Sequence, residues 1–152
     1  MKNKSQILQE LEIAYIPRFP LKEQPKISSS RSAYELLVQL YNPKTIYCQE
    51  EVIVLYLNNN HHIIGAQNLS KGGICSTIID IRLILATALK SLSTAILLSH
   101  NHPSGNTLPS KKDREITAKL LDACKMLDIA FIDHIIVTAD NGYYSFVDED
   151  IM

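Results

Sequence analysis

Between Ser99 and Asp113 the chain places two histidines, His100 and His102, two residues apart and follows them with the carboxylate of Asp113. Imidazole nitrogens and a carboxylate oxygen are ligands for a divalent metal. Two of the first and one of the second make the protein half of a catalytic zinc site, which keeps a fourth position open for water. A closed structural site needs a fourth protein ligand, and the segment offers no further Cys or His. Two plainer readings fit the same residues. Ser110-x-x-Asp113 has the form of a capping box with Asp in place of Glu or Gln, so the pair could serve only to start a helix. The histidines could be exposed loop residues beside the turn-forming Pro103-Ser104-Gly105.

For the three side chains to converge, a rigid element must deliver each. Thr94 to Ser99 is a short apolar run without alternation, which suits a central strand buried on both faces and ending at the histidines. The Pro- and Gly-bearing loop then leads to a helix from Ser110 to about Asp128. Its first turn carries Asp113, and Ile116, Leu120, Cys124 and Leu127 recur at helical spacing. Upstream, Ser30 is expected to cap a helix reaching about Tyr41, with Ala33, Leu36, Leu37 and Leu40 on one face. Glu51 to Leu57 is a β-branched run, and the turn cluster Asn58-Asn59-Asn60 joins it to a partner strand from His62 to Leu69. Asp80 is expected to cap a helix to about Leu92, with Leu83, Ile84, Thr87, Ala88 and Leu92 inward. Strands from Ile129 to Thr138 and from Tyr143 to Val147, split by the turn Asp140-Asn141-Gly142, complete the series. This order predicts a mixed sheet flanked by helices, an α/β (α+β) domain.

The whole chain of 152 residues suits one domain, expected over residues 31–152. Residues 1–30, with Pro17, Pro20 and Pro25 and the run Ser28-Ser29-Ser30, form an arm with a short helix near residues 5–12. A composition 46% hydrophobic and 20% charged excludes a disordered chain. Apolar stretches break well before about 18 residues, which excludes a membrane span. Fifteen Lys and Arg against sixteen Asp and Glu lack the basic footprint of a dedicated nucleic-acid binder. The lysine-bearing start is followed by Gln9, Glu10 and Glu12 rather than an apolar stretch, so no signal peptide is expected. Cys48, Cys75 and Cys124 are odd in number and form no CxxC pair, which points away from disulfides and thiolate zinc and towards a reducing cytoplasm.

The string His100-Asn101-His102-Pro103 with Ser110-x-x-Asp113 resembles the JAMM (JAB1/MPN) metalloprotease motif. The longer run His-Asn-His-Pro-Ser-Gly, then Pro-Ser-x-x-Asp, is similar to its bacterial RadC-like branch, through Asp133-His134-Ile135-Ile136-Val137 and Tyr144-Ser145-Phe146. Upstream the likeness reaches Glu50, so it covers roughly residues 45–148. The resemblance implies a fold similar to the cytidine deaminases and a Zn2+ held by His100, His102 and Asp113. It implies a general base in Glu50, which stands seven residues before the Leu57 that ends its strand. Glu51 then faces the opposite side by strand alternation. It also implies that Ser110 donates a hydrogen bond near the metal and to an oxyanion, rather than acting as a nucleophile. The expected reaction is hydrolysis of an amide or isopeptide bond.

A deaminase is disfavoured because the Pro-Cys-x-x-Cys ligands of those enzymes are missing. A second function, from the RadC name alone, is a DNA-associated factor of repair or mobile elements with a structural or nuclease-supporting metal. The helix-hairpin-helix region usual in RadC proteins is not expected within these 152 residues, which weakens the inherited expectation of DNA binding. A third is a silent scaffold. Among the other candidates, His61 and His62 fall in a hairpin loop, and Ser104 belongs to a structural turn. His134 is expected as a satisfied core histidine, with Asp133 beside it inviting a supporting role at the metal. Lys71-Gly72-Gly73 could line a cleft but lacks phosphate-loop spacing. Tyr143 and Tyr144 pack, and Cys75 and Cys124 are small core residues; neither a GxSxG elbow nor an HExxH helix offers a rival site. Substrate and oligomeric state are not encoded in any motif.

Overall fold

The computed structural model describes residues 12–73, 76–140 and 142–152. The expected helix near residues 5–12 and the fate of Cys75 lie outside them, as does Asn141 of the expected turn. Strand β1 (Glu51–Leu57) is buried at every position, as is β3 (Ala95–Asn101). Such runs without alternation belong in the middle of a sheet covered on both faces. The sheet order is β2 (Ile63–Lys71), β1, β3, β4 (Ala130–Val137), β5 (Tyr143–Ser145). Only β3 and β4 pair in parallel, with α3 (Lys111–Met126) as their crossover; the other pairs are antiparallel. The mixed sheet expected from the sequence is therefore present.

Strand alternation splits the core in two. On one face, Ile53, Leu55 and Leu57 of β1 and Leu97 of β3 pack with Ala33 and Leu37 of α1 (Ser30–Leu40). On the other, Val52, Val54 and Tyr56 pack with Ile96 and Leu98 and with Ile84 and Ala88 of α2 (Ile81–Lys90) and Leu120 and Cys124 of α3. A register shift in the β3–β4 pairing carries Ile96 opposite Phe131 but Leu97 opposite Asp133. One extra residue, Ile132, thus separates Phe131 on the α3 face from Asp133 on the α1 face, and it returns His134 to the α3 side.

Several boundaries and faces differ from expectation. The first helix is capped by Ser29 rather than Ser30, because Ser29 accepts from the Ser32 N–H while the Ser32 hydroxyl reaches back to the Ser29 backbone. Its inward row is Ala33, Leu37 and the following Tyr41, one residue every turn of helix; Leu36 is half-buried and Leu40 is exposed. Asp80 caps α2 as expected, but the helix ends at Lys90, and Leu83 and Leu92 point to solvent while Ile84 and Ala88 are buried. In α3 the buried row is Thr117, Leu120 and Cys124, not Ile116 and Leu127. Residues 25–27 of the expected arm bond backbone to backbone with residues 61–63, and Ile27 joins the α1-side core. Among the described residues no helix is long and apolar enough to cross a membrane.

Candidate metal centre

The central strand and the crossover helix bring the chemistry together. His100 and His102 project from the C-terminal end of β3 to the α3 face, while Asn101 between them projects to the α1 face. His102 continues the sheet direction because its N–H bonds the Val137 carbonyl. The chain then turns on Gly105, whose φ of 78° suits glycine, and its N–H closes on the His102 carbonyl at 3.1 Å. Ser104 accepts from the Asn106 N–H, the structural role expected of it. This turn aims His102 back at its neighbour.

Three ligand atoms, one each from His100, His102 and Asp113, lie within 4.8 Å of one another. His100 Nε2 is 3.0 Å from His102 Nε2 and 3.2 Å from Asp113 Oδ1, and His102 Nε2 is 3.6 Å from Asp113 Oδ2. His100 is buried; the other two are partly exposed. Among the described residues no other group of three His, Cys, Asp or Glu residues converges this way. The donor chemistry fits a divalent ion. His102 Nδ1 sits 2.7 Å from the Asn106 carbonyl, which can only accept, so Nδ1 carries the proton and the neutral ring presents a lone pair at Nε2. Burial works against charge on His102, but the Asp113 carboxylate, the Asn106 carbonyl and the Glu50 charge outweigh it and raise its pKa. Burial alone would lift the Asp113 carboxyl; the two imidazoles and Ser110 outweigh it and hold it well below the usual carboxylate range. The carboxylate is therefore anionic at neutral pH.

The capping reading holds, and its geometry is compatible with the ligand reading. Ser110 Oγ accepts from the Asp113 N–H at 3.2 Å, and Asp113 Oδ2 accepts from the Ser110 N–H at 2.7 Å. The box starts the helix and, by engaging Oδ2, leaves Oδ1 facing His100. The histidines are not loose loop residues.

The two glutamates part as alternation requires. Val52 pairs with His100 in the antiparallel register, so Glu50 stands across from His102, and both line one cleft with Ser104, Asn106 and Ser110. The Glu50 carbonyl accepts the Gly72 N–H at 2.8 Å. A Cβ at Gly72 would lie 2.2 Å from the Ser76 carbonyl oxygen, so only glycine fits this junction. Glu51 is buried on the other face, accepting from Thr45 at 2.7 Å and pairing with Lys71 at 3.0 Å. Burial opposes its charge, yet Thr45, Lys71 and Asn68 together hold its pKa below the ordinary value. Asn101 was missed by sequence reasoning. Its amide donates to the carbonyls of Ile46 and Gln49, and its oxygen accepts the Glu51 N–H at 2.7 Å, clamping the segment that delivers Glu50. Alternation between the two histidines was the available signal.

The remaining candidates are structural or turned away. His61 is exposed in the β1–β2 loop, and His62 Nδ1 is 3.1 Å from the Gln24 carbonyl. His134 is fully buried and touches His100, its Nε2 lying 2.8 Å from His100 Nδ1. Asp133, expected beside it as support, instead accepts from the Ser145 hydroxyl and the Val147 N–H on the opposite face. Tyr143 stacks on Tyr34, and Tyr144 meets Phe146 edge to face. Burial pushes the Cys124 thiol up to about 11, which removes it as a nucleophile.

Comparison with known proteins gives the family of the chain. A family model described as RadC-like JAB domain matches residues 27–151. A UPF0758 protein of Flavobacterium johnsoniae is 43% identical over 126 residues, covering 83% of this chain and 53% of that protein. One of Porphyromonas gingivalis is 40% identical over 138 residues, covering 89% and 60%, and one of Streptococcus gordonii is 38% identical over 123 residues, covering 81% and 52%. The chain thus spans between about half and three fifths of the length of these relatives.

Proposed function

The chain belongs to the RadC-like JAB domain family, and from that premise we propose that it is a zinc-dependent hydrolase of the metallopeptidase or isopeptidase type. One observation carries the reading: His100 Nε2, His102 Nε2 and Asp113 Oδ1 converge, and His102 lines one cleft with Glu50 and Ser110. Zinc bound by these three residues supplies Lewis acidity, bringing the pKa of water down to about 7 and polarising a carbonyl. Glu50, not a ligand, takes one proton from the attacking water and later gives it to the leaving amine. The water oxygen bonds to the carbonyl carbon, the C–N bond breaks, and an acid and an amine leave. Ser110 Oγ already accepts from the Asp113 N–H, so its hydroxyl proton is available to donate to the carbonyl oxygen as negative charge grows there. The reading includes the reducing cytoplasm as compartment, from the odd number and wide spacing of Cys48, Cys75 and Cys124 in the sequence.

The test is turnover of zinc-loaded protein on a panel of peptides and isopeptide-linked conjugates, with duplex and single-stranded DNA as the opposing arm. Glu50→Gln is expected to keep its zinc and lose about 10²–10⁴-fold in rate. Cleavage of DNA with every amide left intact, or full amide turnover by Glu50→Gln, would overturn the proposal.

A further inference from the structure

The hydrolytic reading leaves two buried polar side chains without a task, Thr117 on α3 and His134 on β4. Both stand between ligand residues. The Thr117 hydroxyl is 2.6 Å from the Asp113 backbone carbonyl and 2.6 Å from His134 Nδ1, and His134 Nε2 is 2.8 Å from His100 Nδ1. These contacts have one direction in which all three are hydrogen bonds. A carbonyl only accepts, so the single hydroxyl proton of Thr117 goes to Asp113. The hydroxyl oxygen then accepts from His134, whose ring proton must sit on Nδ1. A neutral ring protonated there has its lone pair at Nε2, so His134 accepts and His100 Nδ1–H donates. His100 is left with a lone pair on Nε2, the nitrogen facing His102 and Asp113. Reversing the order leaves the Asp113 carbonyl without the Thr117 proton and puts a proton on His100 Nε2, where a metal bond has to form.

We infer that Thr117 and His134 are positioning residues, a relay that fixes His100 as its Nδ1–H tautomer and so commits the Nε2 lone pair to a divalent metal. The inference rests on the reading of His100 as a ligand and names what orients it. His134 is fully buried, and its two ring nitrogens meet a hydroxyl and an imidazole, partners that suit a neutral ring. Phe146, itself fully buried, stacks on His134 at 4.6 Å and 14°, which fixes the plane of the ring. His102 reaches the same end directly, through the Asn106 carbonyl. A ligand histidine commonly donates to a carboxylate or a carbonyl. Here a neutral two-residue relay takes that place and adds no negative charge behind the ligand. It terminates on the backbone of Asp113, so the positions of two ligands are coupled through the two residues between them.

The relay is tested on the full zinc-loaded chain by long-range proton–nitrogen NMR of labelled histidine rings, and by chelator competition for zinc. The expected spectrum has His134 and His100 both protonated at Nδ1. Thr117→Val, which keeps the shape and removes the hydroxyl, should bind zinc about 10- to 100-fold more weakly, while Thr117→Ser should stay within about twofold of wild type. Protonation of His134 at Nε2, or equal zinc affinity in the Val and Ser variants, would overturn the relay and leave the hydrolytic reading standing. Failure of the wild-type chain to take up zinc would overturn both. If Thr117→Val does not fold, the wild-type spectrum alone decides.

Discussion

On the α1 face of the sheet, Asn101 gives both amide protons to backbone carbonyls and accepts a backbone N–H, Tyr41 and Ser99 share a hydrogen bond, and Asp133 accepts from Ser145 and Val147. Each donor there meets an acceptor. On the α3 face the bonds run the same way through Thr117, His134 and His100, then end at three lone-pair atoms that face one another. Both faces bury polar groups, so burial alone does not mark the functional side. The excess of acceptors does: imidazole lone pairs and a carboxylate that meet without a donor suit a cation. The same contrast separates adjacent glutamates, Glu51 fully partnered and buried, Glu50 lining the open cleft.

Substitutions that remove a group from one face and not the other sharpen this contrast. Asp113→Asn should have the largest effect. The amide oxygen can still accept the Ser110 N–H, so chemical unfolding should shift by less than about 1 kcal/mol, near the value of a cap. Zinc affinity, measured by competition, should fall by more than the roughly 10- to 100-fold that a supporting residue contributes. Unchanged affinity would make the capping box the whole role of Asp113. Asn101→Leu should do the reverse. It orphans Ile46, Gln49 and Glu51 backbone groups and should lose about 2–4 kcal/mol in denaturant titration, while the folded fraction still binds zinc. A loss below about 1 kcal/mol would break the claim that this face is structural.

The smallest effect belongs to Glu51→Gln, about 1–2 kcal/mol at neutral pH. The folded carboxyl titrates below its unfolded value of about 4.3, so its contribution is present above that pH and is lost as acid protonates the folded group. The stability gap between wild type and variant should therefore narrow below about pH 4. A gap independent of pH would show that Thr45 and Lys71 respond to the shape of Glu51 rather than its charge.

Much of this division was legible in the sequence. Glu51 to Leu57 reads as a strand to the residue because an apolar run with β-branched Val52, Ile53 and Val54 is too short for a typical helix and stops at a turn cluster. His100, His102, Ser110 and Asp113 are visible because their spacing is local: two steps along a strand and one turn of a helix. Thr117 and His134 were not, since their contact depends on how α3 lies over β4 and on the extra residue Ile132, which decides that His134 rather than Asp133 faces the histidines. Periodicity favoured Ile116 as the inward residue for its apolarity; the buried partner of Thr117 is a ring nitrogen that no helical pattern records. The cap at Ser29 was misplaced by one position in a run of three serines, where only the Ser32 hydroxyl distinguishes them.

The central claim is that three converging acceptors hold one divalent ion. Equilibrium dialysis against buffered zinc, followed by elemental analysis, measures it most directly on wild type and His102→Ala. The account predicts one zinc per wild-type chain and none retained by the variant; a wild-type chain that leaves dialysis without zinc, or a variant that keeps it, would contradict the account.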